Sequence, residues 1–449
     1  MSGIAAGIRL AYYEKKVLIL EKHAIPGGLN SYYSKDGKRF DVGLHAMTNF
    51  VPPRTKGAPL TKLLKQLKIR YDELDLVEQD HSTIDFPDVT LKFGNGLSHI
   101  KEDIAEHFPQ EIDNFIKLVE HIHAYDEVSL SADYISARET VASFIKDELL
   151  LDMLFCPLMY YGSAVEDDMD FSQYCIMFKS VFSEGFCRPQ AGVRHIIRIL
   201  KKKFLANGGE LKFRAGVKQI LTKGQEAYAV ELEDGTILET DKILSSAGSK
   251  ETYRMLEESK KFEETIRAGA LSFVESIIML DKTPKELGIN QTISFFNHTD
   301  KFLYKSPVNT GVDYNSGVVC IPNNFCFNDK PLSEGMIRFT NLASYDYWKK
   351  LSPEDYLKEK EAFVDEQLKH FAHGEALRKH ITYVDAFTPL TVEKFTSHIN
   401  GAIYGAPDKV KDGRTEYQNV FITGTDQGFL GIVGALLSGI SMANLHCLR

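Results

Sequence analysis

No stretch of the sequence reaches the roughly eighteen consecutive apolar residues that a helix needs to cross a bilayer, so a helical membrane span is excluded. The first residues also lack the charged-then-apolar order of an export signal, and cytoplasm is the expected compartment, with peripheral membrane contact left open. Six cysteines (Cys156, Cys175, Cys187, Cys320, Cys326, Cys447) show neither C-x-x-C nor zinc-ligand spacing, which excludes a disulfide scaffold and suits buried thiols of a reducing compartment. His121-Ile-His123 splits across a helix without an H-E-x-x-H or carboxylate partner, so no metal site is expected. Basic residues are outnumbered, 53 against 62 acidic, and the net charge of -9 excludes nucleic acid as a partner. Internal repeats, low-complexity tracts and Pro/Gly/Ser linkers are missing too, so the two domains expected of 449 residues are interleaved rather than consecutive.

What is present concentrates at the two ends. Met1 to Ala11 has small residues at Gly3, Ala6 and Gly7 followed by Ile8 and Leu10, a spacing that lets a helix lie close to a sheet. Lys16-Val-Leu-Ile-Leu-Glu21 follows as a short strand. Its terminal acid stands at about the interval beyond Gly3 where a dinucleotide fold places the carboxylate that hydrogen-bonds the adenosine ribose. Alone, that element is more often an exposed strand-end glutamate. The continuation, Lys22-His-Ala-Ile-Pro26-Gly27-Gly28-Leu-Asn30, brings paired glycines that free backbone N–H groups for an anionic pyrophosphate. Asp36-Gly37 then turns a hairpin toward Phe40-Asp41-Val-Gly43-Leu44-His45.

Glu21-Lys22-x-x-x-x-Gly27-Gly28 followed by Phe40-Asp41-x-Gly43 resembles the opening signature of the FAD-dependent amine oxidase and phytoene desaturase superfamily. Gly43-Leu44-His45 looks most like its retinol saturase and carotenoid isomerase branch. The superfamily opens with a strand and GxGxxG, of which Gly3 matches only the third glycine; the expectation is that residues upstream of Met1 supply the rest, a genuine loss being the alternative.

Two later segments extend the pattern. Pro189-Gln-Ala-Gly192 leads into the amphipathic helix Arg194 to Leu205, ended by Asn207-Gly208-Gly209, and then into strands turning at Asp234-Gly235. The resemblance puts the backbone of Val217 against adenine and has Gly248 close the segment. At the C-terminus, a buried strand delivers Gly424 and Asp426, and Gly431 opens a helix whose first N–H groups attract negative charge. Through Ile432 and Val433 that helix start suits the N1 side of a reduced flavin, and Asp426 suits an acceptor for its ribityl chain. Thr423-Gly424-x-Asp426-x-x-x-x-Gly431-Ile432-Val433-Gly434-Ala435-Leu resembles the flavin-binding end of retinol saturase-like proteins.

The fold class read from these features is α/β. A Rossmann-type FAD-binding domain, a parallel sheet with a β-meander, takes residues 1–50, 189–252 and 411–449. An α+β substrate domain takes 51–188 and 253–410. The resemblance implies non-covalent FAD held by Gly3, Gly7, Glu21, Lys22, Gly27, Gly28, Asn30, Gly43, Val217, Gly248, Gly424, Asp426, Gly431, Ile432 and Val433. It implies a long apolar substrate such as a carotenoid or retinoid, with desaturation, saturation and cis-trans isomerisation left open. Leu149 to Gly162 and Phe171 to Phe186 read as core helices bordering the substrate. His45 and Tyr404 are the candidate catalytic residues, each with a structural reading beside it: a histidine after a turn, and a tyrosine packed between turn glycines. No second GxGxxG is present for a pyridine nucleotide, so the electron partner lies elsewhere. An amine oxidase and a flavin-less binding protein are the competing functions.

Overall fold

The structure is a computed structural model, and it describes residues 1–449 except 44–45, 131, 257–259, 328–330 and 449. Small residues decide how its N-terminal half packs. The opening helix Ser2–Ala11 buries Ser2, Ala5, Ala6, Gly7, Ile8 and Ala11. A Cβ at Gly7 would lie 2.8 Å from Phe204 and 2.9 Å from Ile19, so only glycine lets this helix meet both the helix Val193–Ala206 and the strand Leu18–Glu21. On its other flank, a Cβ at Gly439 of the C-terminal helix Gly431–Met442 would stand 2.0 Å from the Ser2 carbonyl oxygen.

The helix Val193–Ala206 turns Val193, Ile196, Ile197, Leu200 and Phe204 into this core, at the three- and four-residue spacing of one helix face. Arg198 and Lys202 stand exposed on the opposite side. The helix Pro59–Leu67 adds Leu60, Leu63, Leu64 and Leu67 to the same core. Residues 59–67 therefore pack with the cofactor segments, whereas the sequence reading places them in the substrate segment 51–188. The four leucines on one face make the difference.

Leu18–Glu21 pairs in parallel with Glu210–Phe213, and Ile243–Ser245 pairs in parallel with Val420–Ile422. The two pairs form separate sheets. The meander expected around Asp234-Gly235 is present as Val217–Lys223, Glu226–Leu232 and Ile237–Glu239, antiparallel throughout.

The other half is built on a seven-stranded sheet. Its order is Ile381–Phe387, Ser272–Leu280, Gly335–Ala343, Ser316–Cys320, Ile293–Asn297, Ser82–Phe86 and Val89–Phe93. Only Ser82–Phe86 with Ile293–Asn297 is parallel. Successive side chains on a strand face opposite sides. Ser276, Ile278, Phe339 and Asn341 meet the helix Pro353–His370 or the core beneath it. Phe273, Phe295, Val318 and Leu342 face the helices Glu148–Gly162 and Phe171–Phe178. Glu148–Gly162 is buried on nearly every side, as an almost uncharged helix inside a large core should be. No helix among the described residues is long and apolar enough to cross a membrane.

Candidate functional site

The strand Leu18–Glu21 ends where the chain turns, leaving the Glu21 carboxylate half-buried, with Oε1 accepting from the His23 N–H at 2.9 Å. Gly27 (φ 124°) and Gly28 (φ 57°) then take backbone conformations that side chains disfavour. Their N–H groups find no acceptor among the described residues, and a Cβ at Gly28 would meet nothing within 4 Å. Asn30 closes the turn by donating its N–H to the Gly27 carbonyl at 3.0 Å. At the C-terminal end, the helix Gly431–Met442 starts without a side-chain cap, and the N–H groups of Ile432 and Val433 likewise meet no acceptor among the described residues. Unmatched donors at a helix start and beside an open double-glycine turn fit a phosphate-containing, partly anionic cofactor. Gly27, Gly28 and Glu21 could hold its dinucleotide end, and Ile432 and Val433 its redox end.

The other expected ligands have these surroundings. Lys22 pairs with Glu233 of the meander at 3.0 Å, both side chains more than half exposed. Gly7 serves helix packing. Gly3 faces Ser246, whose Oγ would be 3.5 Å from an added Cβ. Gly43 (φ 78°) lies in the turn before residues 44–45. Val217 opens the meander opposite Leu232, and Gly248 (φ 110°) caps the helix Ser249–Met255. His45 lies outside the described residues.

Asp426 is the main correction. Its carboxylate is 1% exposed and engaged at both oxygens. Oδ2 accepts from the N–H and hydroxyl of Ser249 at 2.6 and 2.9 Å, and Oδ1 accepts from the Ala406 N–H at 2.9 Å. A carboxylate so occupied ties three chain crossings together and does not present itself to a ribityl chain. Gly424 (φ 91°) faces Ser2 and donates its N–H to Ser438 Oγ at 2.7 Å. Lys409, which sequence reading missed, runs beneath this turn. Its Nζ donates to the Tyr404 carbonyl at 2.6 Å and lies 3.8 Å from Asp426 Oδ1. Burial pushes its pKa down to about 8, against the opposing pull of Asp426 and Asp408.

Tyr404 is a wall residue rather than an available acid. Its hydroxyl donates to the Tyr160 carbonyl, its ring meets Phe273 edge-on at 6.1 Å, and burial raises its pKa. The wall continues through Tyr161, whose ring packs on Phe186 at 5.0 Å and Phe295 at 5.5 Å. The Tyr161 hydroxyl is buried without a hydrogen-bond partner. Burial raises its pKa further, and Cys320, Tyr404, Glu275 and Arg338 all lie close enough to act on it.

Within this apolar face sits a polar island that the sequence reading did not find. Strand register puts Thr340 opposite Glu275, and Arg338 opposite both Ile277 and Cys320. Arg338 Nε donates to Glu275 Oε1 at 2.6 Å, in a pair with side chains 2% and 4% exposed. Beside it, on the strand Cys187–Pro189, stands Arg188, 6% exposed. The one available signal was a lone charge within an apolar strand, Glu275 in SFVESIIML and Arg338 in GMIRFTNLA. On the opposite face of the sheet, a cavity of about 300 Å³ is lined by Asp85, His298, Tyr314, Asn341 and His370 among others.

With this geometry in place, comparison with known proteins is specific. The residue pattern of the family described as flavin containing amine oxidoreductase matches residues 1–445. The chain is 23% identical to a chloroplastic prolycopene isomerase of Daucus carota, the alignment covering 99% of this chain and 78% of that protein. It is 23% identical to an all-trans-retinol 13,14-reductase of Danio rerio, covering 99% and 84%. Among solved structures, an oxidoreductase from Methanosarcina mazei superposes with a TM-score of 0.69 at 15% identity, covering 99% of this chain and 98% of that one. A putrescine oxidase bound to putrescine superposes at 0.64 and 15% identity, covering 100% and 97%. These two likenesses concern the fold, whose cofactor half is of the Rossmann type.

Proposed function

The chain belongs to the flavin containing amine oxidoreductase family, which makes it a flavin-dependent oxidoreductase, and from that premise we propose that it holds FAD non-covalently and acts on a C–C or C=C unit of a long apolar polyene, a carotenoid or retinoid. The observation that carries this reading is the aromatic wall of Tyr404, Phe273, Tyr161, Phe186 and Phe295 beside the C-terminal segment. Phe186, Phe295 and Phe273 are buried, so an apolar chain would meet this wall at the partly exposed rings of Tyr161 and Tyr404 and be held by area and shape. Sequence relatives named for prolycopene and retinol support it.

When bound, the flavin supplies the donor or acceptor of a hydride or its equivalent at N5. The chain's own contribution is placement. Gly27 and Gly28 offer backbone N–H groups to the pyrophosphate, and Glu21 accepts from the adenosine ribose. The start of the helix Gly431–Met442 favours negative charge next to it. Tyr161, Phe186 and Phe295 exclude water, and no side-chain acid or base is required. Because polyenes partition into bilayers, the proposal includes peripheral membrane contact and an electron partner outside this chain.

The visible spectrum of the purified protein, before and after heat release of its cofactor, tests the flavin and its non-covalent attachment; a protein without flavin bands would be the binding relative instead. Product mass after incubation with a poly-cis carotene or retinol then separates the reactions: two hydrogens lost for desaturation, two gained for saturation, none for isomerisation. Peroxide release from simple amines with polyenes untouched would replace this reading by an amine oxidase, a class that shares the fold.

A further inference from the structure

Arg188 is buried with little to balance its charge. No carboxylate lies within ion-pair distance of it among the described residues, its Nε has no hydrogen-bond partner, and its Nη1 reaches only the Pro322 carbonyl at 3.4 Å. Two rings, Phe325 and Phe327, flank the guanidinium at 5.8 and 5.9 Å. Burying an unpaired cation is costly, and a native fold keeps one where something else completes it. Its electrostatic neighbours are Asp41, Cys320 and Arg338. Arg338 is already matched by Glu275, and Asp41 leans toward Arg194 at 3.8 Å. The island therefore has one positive charge in excess. It also holds unused hydrogen-bonding atoms, the hydroxyls of Tyr161 and Thr340, both buried and unpartnered.

We infer that Arg188 receives the carboxylate end of the substrate, so that the ligand is a long apolar chain terminated by a monoanionic oxygen group rather than a pure hydrocarbon. This rests on the polyene reading for the body of the ligand and adds its polar terminus. One excess charge matches a monoanion and leaves a phosphate dianion half-neutralised. A guanidinium offers paired donors that suit the two oxygens of a carboxylate. Phe325 and Phe327 hold the guanidinium plane and keep water from it. Phe186, next but one in the chain, carries the aromatic wall toward Tyr161, so the apolar and charged parts of this interior region are continuous.

The test uses the flavin-loaded protein and three probes: all-trans-retinoate, its methyl ester and octanoate, with binding followed by thermal shift and by perturbation of the flavin bands. Retinoate is expected to bind about tenfold or more tighter than the ester, the size of a charge-assisted hydrogen bond. Arg188→Met is expected to erase that preference while leaving ester binding and flavin content as they were, and Arg188→Lys to keep part of it. Equal binding of acid and ester by the unaltered protein overturns the inference and leaves the polyene reading standing, with no variant needed. Octanoate bound through Arg188 with neither retinoid bound sustains the carboxylate seat and removes the polyene. Binding of none of the three removes both.

Discussion

Asp426 and Ser249 are 177 residues apart, and the Asp426 carboxylate accepts both the N–H and the hydroxyl of Ser249. Each residue follows a strand of the same parallel pair, Val420–Ile422 and Ile243–Ser245, so this contact locks the two crossings where the C-terminal cofactor segment leaves the sheet. Asp426→Asn turns one acceptor into a donor facing an N–H group. A loss of about 2–4 kcal/mol is expected, because a buried donor is left unmatched. Ser249→Ala removes only the hydroxyl and should cost about 1 kcal/mol. Urea unfolding of the two variants measures the difference; equal losses would mean that the backbone N–H contributes nothing.

The crossing of the first and last helices makes a second prediction. Alanine favours a helix interior over glycine by about 1 kcal/mol. At Gly439 the added carbon would meet the Ser2 carbonyl at 2.0 Å, so the substitution should instead destabilise, by about 1–3 kcal/mol of overpacking. A rise in melting temperature for Gly439→Ala would show that the two helices do not approach as described.

Gly28 separates cofactor binding from folding. An added Cβ there has open space, so Gly28→Ala should cost only the left-handed backbone penalty of about 1–2 kcal/mol. In that same space the added carbon would crowd the proposed pyrophosphate. The expected outcome is a protein that melts cooperatively yet is purified with much less flavin, read as the ratio of visible to ultraviolet absorbance. Full flavin content would place the pyrophosphate elsewhere.

How far the sequence could be read follows from the range of the interactions. Glycine turns, an acid ending a strand and an amphipathic helix are local, so the segments around Glu21, Gly27, Val193 and Gly431 were legible as elements. The helix of residues 59–67 went unread, and its partners Leu436 and Ile440 lie hundreds of residues away. The contacts of Asp426 were hidden for the same reason. Asp426 stands within a recognisable motif, yet its partners Ser249 and Ala406 come from other segments. Glu275 and Arg338 meet through strand register, and Arg188 reaches them from a strand of a separate sheet; no local pattern in these segments encodes either.

The pair Glu275 and Arg338 is expected to be worth more against its own halves than against a hydrophobic replacement. Glu275→Leu leaves Arg338 beside Arg188 without its paired carboxylate and should cost about 3–5 kcal/mol. The double variant Glu275→Leu, Arg338→Met removes both charges and should recover most of that loss. A double-mutant cycle in urea measures the coupling; additive losses would mean that the two side chains do not interact.

Lys409 sets a pH dependence whose sign can be worked out. Its folded pKa is about 8, against 10.5 for an ordinary lysine. Below pH 8 it is charged in both states, and the burial penalty is carried in full. Between about 8 and 10.5 the unfolded chain binds a proton that the folded chain has released, so stability rises with pH across that window. Other groups titrate there as well, and Lys409→Met isolates this one. The difference in unfolding free energy, unaltered protein minus variant, should be flat from pH 6 to about 7.5 and then climb by up to about 3 kcal/mol toward pH 10.5. Because Lys409 also donates to the Tyr404 carbonyl, the variant has a constant offset of its own, which the slope excludes. A difference that stays level across the whole range would mean that Lys409 keeps an ordinary pKa, its burial being offset in full by Asp426 and Asp408.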